Sequence, residues 1–434
     1  MIPLTTIQGK SPSELRKCIS DRPVYIWGSG PLGQDVLTSL TKSGISAKGF
    51  LDSRPELHDT TTWGLPVFPT DKILRDCTMF ILVSSSLFMR RALEYCHEFG
   101  RIRGLDYLTY LDIARPAAAV DVAGVCNMKC PECPHGNMSP LRPEGFISLD
   151  NYQKVLDKLL KEIPLLTNIE LFTWGEPFLN QDLAEIVALT ETKVPCTIAT
   201  NLSLTDNLRK VIEANPSRFY VTISGFELEY EKNMPGASWD SLLGNLSHLR
   251  TVINETGAST KVSLQVYGSE MKEDWFRRFF IEKAKELNYG VSFNHSYVNP
   301  YENYLGYLSR LPVFSISSEA RKKIEQQSWD VKKMIQLAER EKNSPCLSQR
   351  IFPIINWDLS VAQCHVYYGP VIGENFLTLP WEELLQRRHT SKQCVQCQAY
   401  SLHRLDLDLL MRKYPEEAKK CFRFQSKGCN NVDN

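Results

Sequence analysis

Between residue 117 and about residue 297, short apolar runs of strand length alternate with longer stretches that repeat apolar residues at helical spacing. The predicted strands are 118–125, 169–172, 197–200, 219–224, 262–267 and 291–295. The first intervening stretch opens at Ser148, a good N-cap, and places Val155, Leu156, Leu159, Leu160 and Ile163 on one helical face. Further helices are predicted over 183–189, 208–214, 242–253 and 275–287. Strands alternating with helices predict right-handed parallel βα units, and six of them suit an open, partial (β/α)6 TIM barrel in an α/β chain. Chemistry in such folds gathers at the C-terminal ends of the strands.

The first hundred residues carry a separate pattern. A β-rich run over 22–27 feeds Gly28-Ser29-Gly30-Pro31-Leu32-Gly33, and a helix follows over 34–43 with Val36, Leu37 and Leu40 apolar. A second strand over 48–52 ends in Asp52, and a third over 79–83 ends in Ser84-Ser85-Ser86. This is the layout of a dinucleotide-type βαβ unit. Gly28, Gly30 and Gly33 permit a tight turn, a helix N-terminus faces a phosphate, and Asp52 stands at the second strand end. The segment resembles small Rossmann-like domains, which implies binding of a nucleotide or sugar nucleotide, or contacts only, and it is short for a full two-half dinucleotide fold.

The bulk numbers bound the class. The chain has 434 residues, enough for two or three domains, with 43% hydrophobic and 23% charged residues, as in ordinary soluble proteins. Lysine plus arginine equals aspartate plus glutamate, 50 against 50, so nothing points to nucleic acid or an anionic membrane as partner. No apolar run reaches the roughly 20 residues of a membrane helix, and residues 1–10 lack a signal-peptide layout. The expectation is a cytoplasmic protein. Thirteen cysteines in such a chain are better read as metal ligands and free thiols than as disulfides. Cys18, Cys77, Cys96 and Cys196 lie in apolar stretches and are expected to be small buried hydrophobes.

The informative cysteines are Cys126, Cys130 and Cys133, spaced C-x3-C-x2-C directly after the first predicted barrel strand. Three close thiolates hold three corners of a [4Fe–4S] cube and leave one iron open. A zinc knuckle with His135 as fourth ligand is the alternative reading of the same residues. The triplet resembles the cluster motif of radical S-adenosylmethionine (SAM) enzymes. That resemblance implies that SAM chelates the open iron and is cleaved reductively to a 5′-deoxyadenosyl radical. The family usually has an aromatic before the third cysteine, whereas this chain has Glu132. Strand two leads into Thr173-Trp174-Gly175-Glu176-Pro177, and Gly175, Glu176 and Pro177 look like the family's acceptor turn for the SAM ammonium. Asn201 and Ser224, ending strands three and four, stand where the family often contacts the ribose and carboxylate of SAM. Gln265, Tyr267, Asn294 and His295 are substrate-side candidates, with Tyr267 or His295 placed to move a proton.

A second cysteine set, Cys346, Cys364, Cys394 and Cys397, suffices for one fully ligated cluster, or for a structural zinc. A hairpin is predicted over 355–364 and a helix over 381–387. The segment resembles the auxiliary-cluster extension of radical SAM enzymes, in its shorter twitch form, since the seven-cysteine SPASM core is absent. Cys421 and Cys429 do not restore that core. The N-terminal segment resembles small Rossmann-like domains that sit beside sugar-modifying and acyl-transfer enzymes.

The expected division is 1–112 Rossmann-like, 113–310 radical SAM barrel and 311–434 auxiliary-cluster extension. The resemblance implies hydrogen abstraction from a substrate C–H bond and oxidation of a carbohydrate-type or sugar-nucleotide small molecule. The electron donor implied is a reductase such as flavodoxin or ferredoxin. Rival readings are a radical SAM peptide-modifying enzyme that crosslinks or epimerises, a non-catalytic metal- and nucleotide-binding scaffold, and an NAD-dependent oxidoreductase working at the glycine loop.

Overall fold

A computed structural model of the protein describes residues 12–42, 44–71, 75, 80–83, 95–102, 104–109, 117–137, 144–162, 166, 168–268, 270, 273–295, 297–308, 316–327, 329–343, 346, 351–369 and 371–422. The chain divides into two compact units, Met1–Ala117 with Leu159–Thr167, and Ala118–Lys158 with Asn168–Asn434.

In the first unit, β1 (Val24–Trp27), β2 (Ala47–Asp52), β3 (Thr61–Thr62), β4 (Leu65–Pro69), β5 (Phe80–Val83) and β6 (Tyr107–Thr109) form one sheet in the order β3-β4-β2-β1-β5-β6. All neighbours are parallel except β3 and β4. The helix Pro31–Lys42 follows the glycine turn and lays Val36 and Leu40 on Val24, Ile26, Phe50 and Val67. Pro31 suits a first helical position, where no N–H is needed. Cys96 is buried as expected, while Cys18 is only half-buried; Cys77 and Ser84-Ser85-Ser86 lie outside the described residues.

The second unit is built on a nine-stranded sheet in the order β12-β11-β10-β9-β8-β7-β13-β14-β15. The first six strands in sequence, β7 (Ala117–Val120), β8 (Ile169–Glu170), β9 (Cys196–Thr200), β10 (Arg218–Ser224), β11 (Lys261–Tyr267) and β12 (Gly290–Phe293), are parallel neighbours in chain order. Cys196 is buried within β9. In β10, Phe219, Val221 and Ile223 are buried while Tyr220, Thr222 and Ser224 are half-buried. In β11, Val262, Leu264 and Val266 alternate likewise with Ser263, Gln265 and Tyr267. One face is thus apolar and the other polar, as the period of two requires.

Two features depart from expectation. The run 118–125 is regular only to Val120. Asp121 then gives its N–H to Ile355 O (2.8 Å), and Ala123 and Gly124 turn to bridge Phe146 and Gly145 instead. The sheet also continues past β7, because β13 (Ile351–Ile355) joins it there, followed by antiparallel β14 (Val361–Ala362) and β15 (Val371–Gly373). The predicted hairpin is therefore an extension of the barrel sheet.

Helices Glu302–Leu308, Ser318–Gln326 and Val331–Glu339 occupy a stretch to which the sequence reading gave no elements. With the helices Lys392–Ala399 and Leu407–Lys413 they enclose a core around Tyr304, Ile324, Trp329, Met334 and Leu407. Among the described residues no helix is long and apolar enough to cross a membrane.

Candidate active site

Cys126, Cys130 and Cys133 lie on the loop that leaves β7, at the C-terminal end of the parallel strands. The three thiols are close enough to disfavour one another's ionisation. Burial is the main effect, pushing Cys126 up to about 11 and Cys130 up to about 12, and the neighbouring thiols add to it. Backbone N–H groups point at the sulfurs: Met128 N–H donates to Cys126 Sγ (3.4 Å), and those of His135 and Gly136 donate to Cys133. Gly136 is required for this wrap, since a Cβ there would stand 2.6 Å from Cys130 O. Thiols held in a polar-lined loop with amide donors fit thiolate ligands of an iron–sulfur cluster, and cluster binding would expel their protons. Among the described residues no three histidine, cysteine or acidic side chains converge on a single metal ion. A cube takes each thiolate on a different iron, so its ligands surround a volume rather than a point. His135 sits with Nδ1 at 3.5 Å from Tyr368 Oη.

The turn after β8 closes on this loop. Glu176 N–H donates to Val125 O (2.8 Å), and a Cβ on Gly175 would overlap Ala123 O, so only glycine permits the approach. The Glu176 carboxylate is buried. Its Oε1 accepts from Phe178 N–H (3.2 Å) and the Thr200 hydroxyl (2.7 Å), and Oε2 accepts from Asn201 N–H (2.9 Å). Burial pushes Glu176 up to about 7 against these hydrogen bonds. Pro177 begins a short 3-10 turn, for which its fixed φ is suited.

Asn201 ties the end of β9 to the cysteine loop. Its Nδ2 donates to Asn127 Oδ1 (3.0 Å), and its Oδ1 accepts from Ser203 N–H (2.9 Å) and the Ser203 hydroxyl (2.6 Å). The Ser224 carbonyl accepts from Asn233 Nδ2 (3.1 Å), and Gly225 takes φ +118, which frees the chain to turn away from β10. Asn294 Nδ2 donates to Gln265 Oε1 (3.1 Å), so these two amides form one pair across β11 and β12. Tyr267 is half-buried, its hydroxyl pKa raised by burial. His295 lies against Phe422, ring centroids 5.4 Å apart.

The second cysteine set is also brought together. Cys346, Cys364, Cys394 and Cys397 line one cavity with Tyr367 and Arg388. Gln363 Nε2 donates to Cys394 Sγ (3.3 Å). Burial opposes ionisation of Cys364, but His365 and Arg388 beside it outweigh burial and hold that thiol low. Cys421 stands apart, its thiol bonded to Glu417 O (3.3 Å); Cys429 lies outside the described residues.

Sequence reasoning missed two groups at the cysteine loop. Trp357, in the turn between β13 and β14, packs its indole where a Cβ on Gly124 or Gly145 would go. Lys323 Nζ donates to Pro131 O (2.8 Å). The only sequence signal for Trp357 was a pair of glycines more than two hundred residues upstream; Lys323 left none.

In the first unit, Gly28 has φ +101, and a Cβ on Gly33 would overlap Gly28 O, which explains both glycines. Nothing lies within 4 Å of a Cβ on Gly30. Asp52 Oδ2 accepts from Ser29 N–H (3.1 Å), the Ser29 hydroxyl (2.7 Å) and Arg54 Nη2 (3.0 Å), and Oδ1 accepts from Arg54 N–H (3.1 Å) and Nε (3.0 Å). Burial opposes its ionisation, yet the Arg54 and Ser29 bonds win and hold the carboxyl well below the usual range.

An open parallel α/β sheet with a C-x3-C-x2-C loop at the C-terminal end of its first strand defines a class of iron–sulfur enzyme. Residues 120–275 match the family model described as the radical SAM superfamily. That superfamily uses a [4Fe–4S] cluster together with SAM. Three solved structures illustrate what the chain is similar to. BtrN in complex with AdoMet and 2-DOIA shares 15% identity over 73% of this chain and 93% of its own, with a TM-score of 0.35. Native anSMEcpe with bound AdoMet shares 13% over 70% and 98%, with a TM-score of 0.44. Streptococcus suis SuiB bound to S-adenosylmethionine shares 12% over 72% and 77%, with a TM-score of 0.39. No curated protein matches the chain.

Proposed function

We propose that the chain is a radical SAM oxidoreductase that oxidises a carbohydrate-type or sugar-nucleotide small molecule by hydrogen abstraction from a C–H bond. The observation that carries the radical SAM part of this reading is the bond from Glu176 N–H to Val125 O, which sets the Gly175-Glu176-Pro177 turn against the cysteine loop. When bound, the cluster and SAM supply a low-potential electron and the hydrogen-abstracting 5′-deoxyadenosyl radical.

This chain's residues do the rest. Cys126, Cys130 and Cys133 would hold the SAM-binding cluster. The turn and the one lone-pair position left on Glu176 orient the SAM ammonium, since three of about four positions on a carboxylate already have protein donors. Asn201 and Ser224 flank its ribose and carboxylate. Thr222, Gln265 and Asn294 give the polar face of the sheet a hydroxyl-matching character, which favours a polyol over an apolar substrate. Tyr267 or His295 takes the proton as the carbonyl forms.

Cys346, Cys364, Cys394 and Cys397, in a twitch-like extension over 311–434 that follows a barrel domain over 113–310, would hold an auxiliary [4Fe–4S] cluster that accepts the second electron from the substrate radical. In the Rossmann-like domain over 1–112, Gly28, Gly30 and Gly33 offer the helix N-terminus to a phosphate, and Asp52 acts through Ser29 and Arg54. A flavodoxin or ferredoxin supplies electrons, in a reducing cytoplasmic setting that keeps the thiols available for iron.

The test is isotope transfer. Anaerobic full-length protein with SAM, reductant and a sugar-type alcohol deuterated at its carbinol carbons should form deuterated 5′-deoxyadenosine in step with the carbonyl product. Transfer from peptides alone would move the reaction to peptide modification. No 5′-deoxyadenosine with the cluster intact would leave a scaffold.

A further inference from the structure

The helix Ser318–Gln326 carries three consecutive cations, and they do different things. Arg321 lies over the Tyr307 ring (5.4 Å) and Lys322 is exposed. Lys323 turns inward, and its ammonium donates to Pro131 O at 2.8 Å. Pro131 stands between Cys130 and Cys133, in the tight turn that Cys133 N–H closes on Cys130 O (3.1 Å). The helix cannot easily withdraw. Ser317 caps its N-terminus, accepting from Ala320 N–H (3.0 Å), and Ile324 is buried with Tyr304 and Trp329. A positive charge is therefore held one residue from one cluster thiolate and two from the other, where the neighbouring Glu132 carboxylate acts on Cys130 in the opposite sense. It comes from a helix outside the barrel strands.

Potentials of iron–sulfur clusters follow net charge, hydrogen bonding and exposure. Reduction adds one electron and no proton, so the reduced cluster is the more negative state and gains more from a nearby cation. We propose that Lys323 is a positioning and tuning residue for the cluster on Cys126, Cys130 and Cys133. It pins the Pro131 turn and raises the cluster's reduction potential, making it reducible by a one-electron donor of the flavodoxin or ferredoxin class. This rests on the cluster reading given above.

The experiment is a redox titration of reconstituted full-length protein without SAM, followed by visible absorption and electron paramagnetic resonance. The variants are Lys323→Met, Lys323→Gln, which keeps a donor without the charge, and Lys323→Arg. Lys322→Met is the exposed control. At a fixed potential, the ratio of reduced to oxidised cluster should fall about tenfold in Met and Gln, equivalent to 59 mV for one electron. It should be retained in Arg and in the control. An unchanged potential in Gln overturns the proposal, and so does loss of the cluster in Gln, which would make the role structural. If the unsubstituted protein takes up no cluster, the cluster reading itself fails, a result distinct from either of these.

Discussion

Glu176 is placed between two demands. Its carboxylate ties the ends of β8 and β9 together through Phe178, Thr200 and Asn201, and burial raises its pKa from 4.5 to about 7. For a carboxyl raised in this way, the contribution to folding is full below pH 4.5 and is lost as pH rises through about 7. A bound ammonium inverts the preference, because only the ionised carboxylate pairs with it. SAM should therefore bind about tenfold more weakly at pH 6 than at pH 8, following the ionised fraction of a group titrating near 7. Anaerobic calorimetry at the two pH values measures this, and Glu176→Gln should flatten the dependence. The same pH response in the Gln variant would remove Glu176 from the SAM site. Gly175 was legible as part of a turn, but its reason was not. Overlap with Ala123 O arises between two strand ends some fifty residues apart in sequence, which local pattern does not encode.

The elements that could be read were those whose pattern is local. Alternation in 219–224 and 262–267 located β10 and β11 to within a residue, because one face of each is buried and the other is not. The end of β7 could not be read, since Asp121 leaves the ladder to bond Ile355 in a strand far along the chain. The helices over 302–339 escaped for another reason. Their core is shared among several short helices, so no single one carries a long apolar stripe. The hairpin of β13 and β14 was visible, but its docking was not. Its turn is held by Asn356 Nδ2 on Ser360 O (3.1 Å) and by Asp358 Oδ1 on Ser360 N–H (3.0 Å), and this presents Trp357 to Gly124 and Gly145. Trp357→Ala should destabilise the protein by about 1–3 kcal/mol, less than a fully buried Trp would cost because this one is partly exposed. Denaturant unfolding reads the loss. Iron retention on the Cys126 loop should fall with it, since Gly124 leads directly into that loop. Full iron retention beside the expected loss of stability would confine Trp357 to packing.

At the scale of the second unit, the first thiol set and one member of the second attach to one continuous sheet: Cys126, Cys130 and Cys133 follow β7, and Cys364 follows β14, two strands along, while Cys394 and Cys397 lie on the helix Lys392–Ala399. Their surroundings differ. The first set has burial and mutual repulsion against ionisation, relieved by backbone donors. The second also has burial and its neighbouring thiols raising Cys397, but Arg388 and His365 hold Cys364 low. The first is open in composition, three thiols with Glu176 across from them; the second brings four thiols to one cavity, enough to complete a cube. If each set holds its own cluster, removing one ligand should subtract that cluster alone. The unsubstituted protein should bind about eight irons, and Cys130→Ala and Cys397→Ala about four each. Cys130→Ala should abolish 5′-deoxyadenosine formation. Cys397→Ala should retain that cleavage and lose substrate oxidation, because the acceptor for the second electron is gone. Iron analysis together with 5′-deoxyadenosine counted against product separates these effects. If Cys397→Ala kept full oxidation, the second set would be structural, and an external oxidant would have to take the electron.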